Sequence, residues 1–288
     1  MNQVQDMTMN LVLQGLDDCQ PRLERIAALA APQRTVRISD TALRCEGISF
    51  SPALRQTIEV AAHAAELDAT YMMGSQQLAD YRLVAMDMDS TLITIECIDE
   101  IADMQGLKPQ VAAITEAAMR GELDFSESLR RRVALLEGLE ASALERVYEE
   151  RLRLSPGAER MLQAVQAAGL KTLLVSGGFT YFTDRLKARL GLDFTRANEL
   201  EIVEGKLTGK VVGDIVDAEA KRATVEQVCA TLSITPDQAI VMGDGANDLK
   251  MMGIAGMSVA FRAKPVVREQ ATVALNFVGL DGILNLLN

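Results

Sequence analysis

The chain has 288 residues, enough to bury a substantial core and to form two domains at about 100–200 residues each. With 29 basic and 40 acidic residues its formal charge is −11, which argues against a general nucleic-acid or anionic-membrane surface. A small anionic substrate stays open, because it reads the local field of a pocket and not the total charge. No apolar run reaches the length of about 18 residues that predicts a membrane span. The opening MNQVQDMTMN has neither the basic nor the apolar part of a secretory leader. Cys19, Cys45, Cys97 and Cys229 are far apart, have no paired metal-ligand spacing and are expected as buried free thiols. Together these features predict a cytoplasmic, reducing setting.

In chain order, MNLVLQGL predicts a strand and CQPRLERIAALA a short helix with a proline near its start. RTVRIS and ALRCEGI predict two strands joined across Asp40. SPALRQTIEVAAHAAEL predicts a helix opened by Ser51 and Pro52, with Leu54, Ile58, Ala61, Ala62 and Ala65 at helical spacing. DATYMM closes the unit as a fourth strand. The order β-α-β-β-α-β is that of the ferredoxin-like plait, and residues 1–80 resemble the ACT-type regulatory modules of amino-acid metabolism. GSQQLADY reads as a linker.

From Tyr81 onward strands and helices alternate, which predicts a doubly wound α/β core with a parallel sheet covered on both faces. YRLVAMD, KTLLVSGG and QAIVMGDG are the clearest strands, and each ends in Gly, Ser or Asp. Carboxyl ends of strands are where open α/β sheets build their sites. SPGAERMLQAVQAAG is a helix between Ser155-Pro156 and Gly169. The stretch of about residues 95–155 carries several helical patterns and exceeds what a crossover needs, so an inserted helical cap over the site is expected. NELEIVEGKLTGKVVGDIV predicts a β-hairpin about Glu204-Gly205.

Four signals could carry chemistry: Asp87-Met88-Asp89-Ser90-Thr91, Ser176-Gly177-Gly178, Lys221, and GDGANDLKM with Asp244, Asn247 and Asp248. A strand-end carboxylate can attack phosphorus, and a second can move the proton. Mg²⁺ takes oxygen ligands and would neutralise crowded carboxylates. Ser176 and the Gly177 amides can hold phosphate oxygens, and a lysine offers a fixed positive charge. Taken singly these residues have plainer readings. Asp89 or Ser90 could be a helix N-cap, SGG a turn, Lys221 a solvated side chain, and GDGAND an Asx-rich loop or part of a calcium site.

In their order and strand-end placement the four signals resemble the motifs of the haloacid dehalogenase superfamily of phosphotransferases, over residues 81–288. ECIDEIA, EAAMRGELDFSESLRRRVALLEGL, LLVSGGF and FRAKPVVREQA extend the resemblance to its phosphoserine-hydrolysing branch. The resemblance implies Asp87 as nucleophile and Asp89 as general acid/base. Mg²⁺ would be held by Asp87, the Asp89 carbonyl and Asp244. Ser176, Gly177 and Lys221 would hold the phosphoryl group, with Asn247 ordering the phosphate site and Asp248 positioning Lys221. Glu96 and Arg132 would choose the substrate: a carboxylate near a phosphate needs an ammonium to offset it, and a cap arginine can grip a carboxylate through two parallel hydrogen bonds. Such a pair suits O-phosphoserine, whose Mg²⁺-dependent hydrolysis through an aspartyl-phosphate would complete serine biosynthesis. Met119 and Phe125 match the family's apolar lid contacts and would exclude water. The plainer alternative has Glu96 capping a helix and Arg132 in a solvated Arg130–Arg132 run.

Three other readings differ in what they require. A related phosphatase would take another small phosphate such as phosphohomoserine, since one methylene is worth only about 1–3 kcal/mol. A signalling receiver would accumulate the aspartyl-phosphate, which the acid/base Asp89 argues against. Residues 1–80 could sense L-serine or could serve dimerisation, which would make a homodimer, or packing; folds do not fix function. His63, the sole histidine, lies in that first unit, which suits carboxylate chemistry at the site.

Overall fold

The computed structural model describes residues 8–74 and 76–287; the opening Met1–Met7, read above for a leader, lies outside them. Four strands come first: β1 (Thr8–Gln14), β2 (Arg34–Ser39), β3 (Ala42–Ser49) and β4 (Asp68–Met72). They pair antiparallel in the order β2-β3-β1-β4, the plait topology. Helices Gln20–Ala30 and Pro52–Ala64 cover one face. Ser51 begins the second by accepting from Leu54 N–H at 3.2 Å, with Pro52 in the first turn, as the capping rules anticipate.

Period-two alternation sends the two faces of β1 to different cores. Leu11 and Leu13 join Leu23, Ile26 and Ile58 under the helices. Val12, and Met72 of β4, face the opposite way and join the core of the rest of the chain. The plait is therefore docked and not a pendant module. Its attachment is polar as well: Asp68 accepts from the N–H groups of Asn276, Phe277 and Val278 and from Asn276 Nδ2, at 2.8–3.2 Å.

The second sheet holds β5 (Leu83–Met86), β6 (Lys171–Phe179), β7 (Phe194–Val203), β8 (Lys206–Val212), β9 (Ala239–Gly243), β10 (Met257–Phe261) and β11 (Val273–Leu275). Its order is β11-β10-β9-β5-β6-β7-β8, parallel except for the β7–β8 hairpin. The expected hairpin turns at Glu204 and Gly205, both at positive φ, while the front of β7 also extends the parallel sheet. The chain starts in the middle at β5, winds outward through β6 and β7, then returns to lay β9, β10 and β11 on the other side. The carboxyl ends of β5 and β9 thus flank the switch point, where such sheets leave a crevice. Every residue of β5 is fully buried, as a central strand covered on both faces requires.

A stem marks where a helical segment leaves this core and returns. Ile93 bridges Leu154, Thr94 N–H reaches Arg153 O at 2.9 Å, and Ser155 N–H reaches Leu92 O at 2.9 Å. Between the two arms lie helices Cys97–Asp103, Lys108–Met119, Phe125–Ala134 and Ser142–Arg146. Among the described residues no helix is long and apolar enough to cross a membrane.

Candidate active site

Asp87 follows β5 directly, its N–H bonded to Met242 O on β9 at 3.0 Å. The backbone then breaks into an irregular turn, with Asp89 extended and Ser90 at φ 57°. Neither side chain caps the turn that follows β5, although Asp89 meets the first N–H of helix Cys97–Asp103. Asp89 Oδ1 accepts from Cys97 N–H at 3.2 Å, and Ser90 Oγ donates to Glu96 Oε1 at 2.7 Å. From the other flank of the switch point, Asp244 Oδ1 accepts from Thr91 Oγ1 at 3.3 Å.

Behind Asp87 lies Lys221, wholly buried on helix Ala218–Thr231. Its Nζ donates to Asp87 Oδ1 at 2.6 Å and to Asp248 Oδ1 at 2.7 Å. The plain solvated reading of this lysine is excluded by its zero exposure. Asp248 is also fully buried, and its Oδ2 accepts from Asp244 N–H at 3.2 Å and Gly245 N–H at 3.0 Å. Both of its oxygens are thus committed to the lysine and the loop. Gly243 is required here, since a Cβ would lie 2.5 Å from Asp248 Cβ.

Ser176 and Gly177 come from the end of β6. Ser176 Oγ accepts from Gly178 N–H at 2.8 Å. Asn198 of β7, 1% exposed, donates to Gly177 O at 2.7 Å and accepts from Val216 N–H at 2.8 Å, fixing that strand end. A Cβ on Gly178 would come within 2.8 Å of Asp89 Oδ2, and one on Gly177 within 2.8 Å of Phe125 Cζ. Glycine is what lets the strand, the turn and the cap converge.

A cavity of about 640 Å³ opens between core and cap. It is lined by Asp87, Asp89, Glu96, Met119, Phe125, Arg132, Ser176, Gly177, Asp244 and Asn247, with Asp99 and Lys264 besides. Lys221 and Asp248 support it from behind. Glu96 sits at the N-cap position of helix Cys97–Asp103 but makes no capping bond; its carboxylate is turned to Ser90. In the Arg130–Arg132 run, Arg130 and Arg131 are exposed, whereas Arg132 is half-buried and lines the cavity. Met119 lines the cavity too, yet is 69% exposed. Asn198 was not singled out from the sequence, because it belongs to no spaced motif; Thr91, Asp99 and Lys264 stood inside the Asp87–Thr91, ECIDEIA and FRAKPVVREQA stretches without a role of their own.

The electrostatics are one-sided. Burial, then the Asp248 and Asp244 charges, push Asp87 well above the usual carboxylate range against the opposing Lys221. Burial and Glu96 push Asp89 up to about 7. Burial, Asp248 and Glu96 push Asp244 to about 7, and burial raises Glu96. For Lys221 burial alone would lower the pKa, but Asp248 and Asp87 outweigh it and hold the ammonium charged. Carboxylate oxygens of Asp87, Asp244 and Asp248 lie within 4.8 Å of one another. Crowded acids that lysine leaves under-neutralised, offering oxygen donors alone, fit a hard divalent cation. With Asp248 already committed, Asp87 and Asp244 are the carboxylates free to turn toward such an ion.

A buried acid backed by a buried lysine, at the switch point of a parallel sheet and beneath an inserted helical cap, points to a class of hydrolase. The chain belongs to the haloacid dehalogenase-like hydrolase family, whose model matches residues 81–256. Its relatives narrow the class. It is 61% identical over 216 residues to phosphoserine phosphatase from Polaromonas sp., spanning 73% of this chain and 92% of that protein. It also superposes on the crystal structure of a HAD family hydrolase from Salmonella enterica subsp. enterica serovar Typhi, with TM-score 0.88, 33% identity and coverage of 98% and 99% of the two chains. A phospho-aspartyl intermediate analogue of phosphoserine phosphatase matches with TM-score 0.68 and 38% identity, covering 72% of this chain and 99% of that one. These relationships make the chain a phosphatase. Family members generally use a divalent metal ion, in keeping with the donor set above.

Proposed function

We propose that the chain hydrolyses O-phospho-L-serine to L-serine and phosphate, with Mg²⁺ as cofactor, as the closing step of serine biosynthesis in the cytoplasm. The observation that carries the substrate choice is the presence of Glu96 and Arg132 in one cavity with Asp87. Glu96 would take the ammonium group and Arg132 the carboxylate, while Asp87 meets the phosphate. The name and the 61% identity of the Polaromonas relative support the same substrate.

An Asp87 oxygen attacks phosphorus, and the bond from phosphorus to the serine oxygen breaks. The leaving oxygen takes its proton from Asp89, whose pKa near 7 suits a general acid at neutral pH. Serine departs. Asp89, now ionised, removes a proton from water, and the water oxygen displaces Asp87 from phosphorus, releasing phosphate and restoring both groups. Ser176, the Gly177 backbone and Lys221 hold the phosphoryl oxygens, and Asn247 orders them from the facing loop. Asp248 keeps Lys221 charged and aimed. Mg²⁺, held by Asp87, the Asp89 carbonyl and Asp244, would supply the positive charge that keeps Asp87 ionised beside a phosphate dianion. Phe125 and Met119 would close the cavity against water.

Phosphate release measured side by side from O-phospho-L-serine, O-phospho-L-threonine, phosphohomoserine and phosphoglycolate tests the substrate. Strong preference for phosphoserine is expected. Equal turnover of phosphoglycolate, which lacks the ammonium, would remove Glu96 from its role. We further assign residues 1–80 as a regulatory unit that binds L-serine and supports a homodimer, on the plait order alone. Calorimetry on the full chain should then count two serine sites per chain; a single site, lost with Arg132→Ala, would remove the sensor.

A further inference from the structure

The segment after β10, Arg262-Ala263-Lys264-Pro265, breaks local rules. Arg262 has φ 46°, a left-handed conformation that costs a non-glycine residue about 1–3 kcal/mol. Its N–H is nevertheless held on Leu275 O at 2.7 Å. Lys264 donates its own N–H to Asp244 O at 3.2 Å, and the following proline confines it to extended backbone, φ −61° and ψ 150°. It therefore stands at the N-cap of helix Pro265–Gln270, where Ser, Thr, Asp or Asn could accept from the first turn. A lysine offers no acceptor there, and its charge has the wrong sign for a helix N-terminus. Departures from local preference concentrate at functional positions.

The backbone bonds fix Lys264 beside the loop that carries Asp244, and its side chain lines the cavity with Glu96, Asp89 and Asn247. Among the described residues its ammonium makes no hydrogen bond or ion pair. By contrast Lys171, Lys206 and Lys250 are paired with Asp193, Glu140 and Glu219. The field it enters is strongly negative. The chain carries −11, and Asp87, Asp89, Glu96, Asp99 and Asp244 all line the cavity. Lys221 lies beneath, its charge offset by two aspartates. The cations on the lining are Arg132, from the cap, and Lys264, from the core.

We propose that Lys264 is a capture residue: an exposed core-side cation that draws anionic phosphate esters into an otherwise repulsive cavity and sets KM, not the chemical step. This rests on the phosphoserine reading for its substrate. The summed field of a charged cleft changes encounter with ions by about 10–10³-fold, one fixed charge supplies a part of that range, and salt screens the effect.

The test compares the full-length holoenzyme with Lys264→Gln, Lys264→Glu and Lys264→Arg, from about 0.01 M to about 0.15 M salt, over which the screening length shrinks from about 30 Å to about 8 Å. At low salt Lys264→Gln should lower kcat/KM about tenfold, with kcat nearly unchanged and a shallower salt dependence. Lys264→Glu should lower it further, and Lys264→Arg should restore it. Unchanged kcat/KM in the Gln and Glu variants, a loss confined to kcat, or a salt dependence equal to that of the wild type would each overturn the proposal. If the wild type prefers phosphoglycolate, the substrate reading fails by itself, and the same comparison is made on phosphoglycolate, an anion that Lys264 should still capture.

Discussion

Asp87 and Asp68 are both buried aspartates at strand ends, 5% and 1% exposed, and the chain treats them in opposite ways. Asp68 is surrounded by four N–H donors from residues 276–278 and, among the described residues, forms no ion pair. Its hydrogen bonding is closed, which joins the plait to the edge of the parallel sheet. Asp87 has a lysine at 2.6 Å but also Asp248 and Asp244 nearby, so its charge is contested. A closed carboxylate has no need of a ligand. The contested one leaves negative charge that a bound cation can offset. Completeness of the hydrogen-bond shell, more than burial, separates the structural acid from the chemical one.

The most severe way to break this comparison is Asp87→Asn. It should abolish phosphate release, by at least about 10⁴-fold, while thermal unfolding shows the fold intact, because one member of a crowded acid cluster loses its charge. Substantial residual turnover would remove Asp87 as nucleophile. Asp68→Ala should do the reverse. It leaves three buried backbone N–H groups without partners, at a cost of about 3 kcal/mol, read as a lower urea midpoint with kcat nearly unchanged. A matching loss of kcat would mean that the plait contact reaches the site. Arg132→Lys sharpens the catalytic side: it keeps the charge but loses the planar fork, and should lower kcat/KM for phosphoserine about 30-fold. An equal loss on O-phosphoethanolamine, which lacks the carboxylate, would contradict its role on that group.

The strand-end acids were legible because a buried apolar run that stops abruptly at Asp, as in YRLVAMD and QAIVMGDG, leaves the side chain at a sheet edge. The plait was legible for a similar reason, since its alternation and its Ser51-Pro52 cap agree. Glu96 was ambiguous from sequence because an N-cap position and a cavity position share one backbone, and only a side-chain rotamer separates them. For Arg132 a signal was present: it follows Ser128 by one helical repeat and flanks Val133, on the buried face of helix Phe125–Ala134. Strand β11 escaped because it spans three residues, too short for periodicity to register; β10 is as long as β9 but lacks the abrupt Gly-Asp end that marks the latter. Lys264 and Asn198 escaped because their surroundings are assembled from distant strands.

Asp193 offers the mildest test and adds a third case. Like Asp68 it accepts a backbone N–H, here from Thr172 at 2.9 Å, along with the Thr172 hydroxyl at 3.0 Å. Unlike Asp68 it also has a cation, Lys171 Nζ at 2.7 Å. Burial raises the pKa of both acids. In Asp68 burial outweighs the four N–H donors, and the net shift is upward. In Asp193 the lysine and the threonine outweigh burial, and the net shift is downward. A depressed folded-state pKa contributes stability above the unfolded value of about 3.9 that is lost as pH falls through the folded value. An elevated one makes the folded state take up protons first, so acidification over that window does not weaken the Asp68 attachment. Acid unfolding below about pH 4 should therefore be slightly less steep in Asp193→Asn than in the wild type. The difference should be a few tenths of a kcal/mol, because Lys171 is half exposed and solvent screens the pair. Identical acid profiles would mean that the threonine hydrogen bonds alone hold Asp193, and that a cation is not what divides it from Asp68.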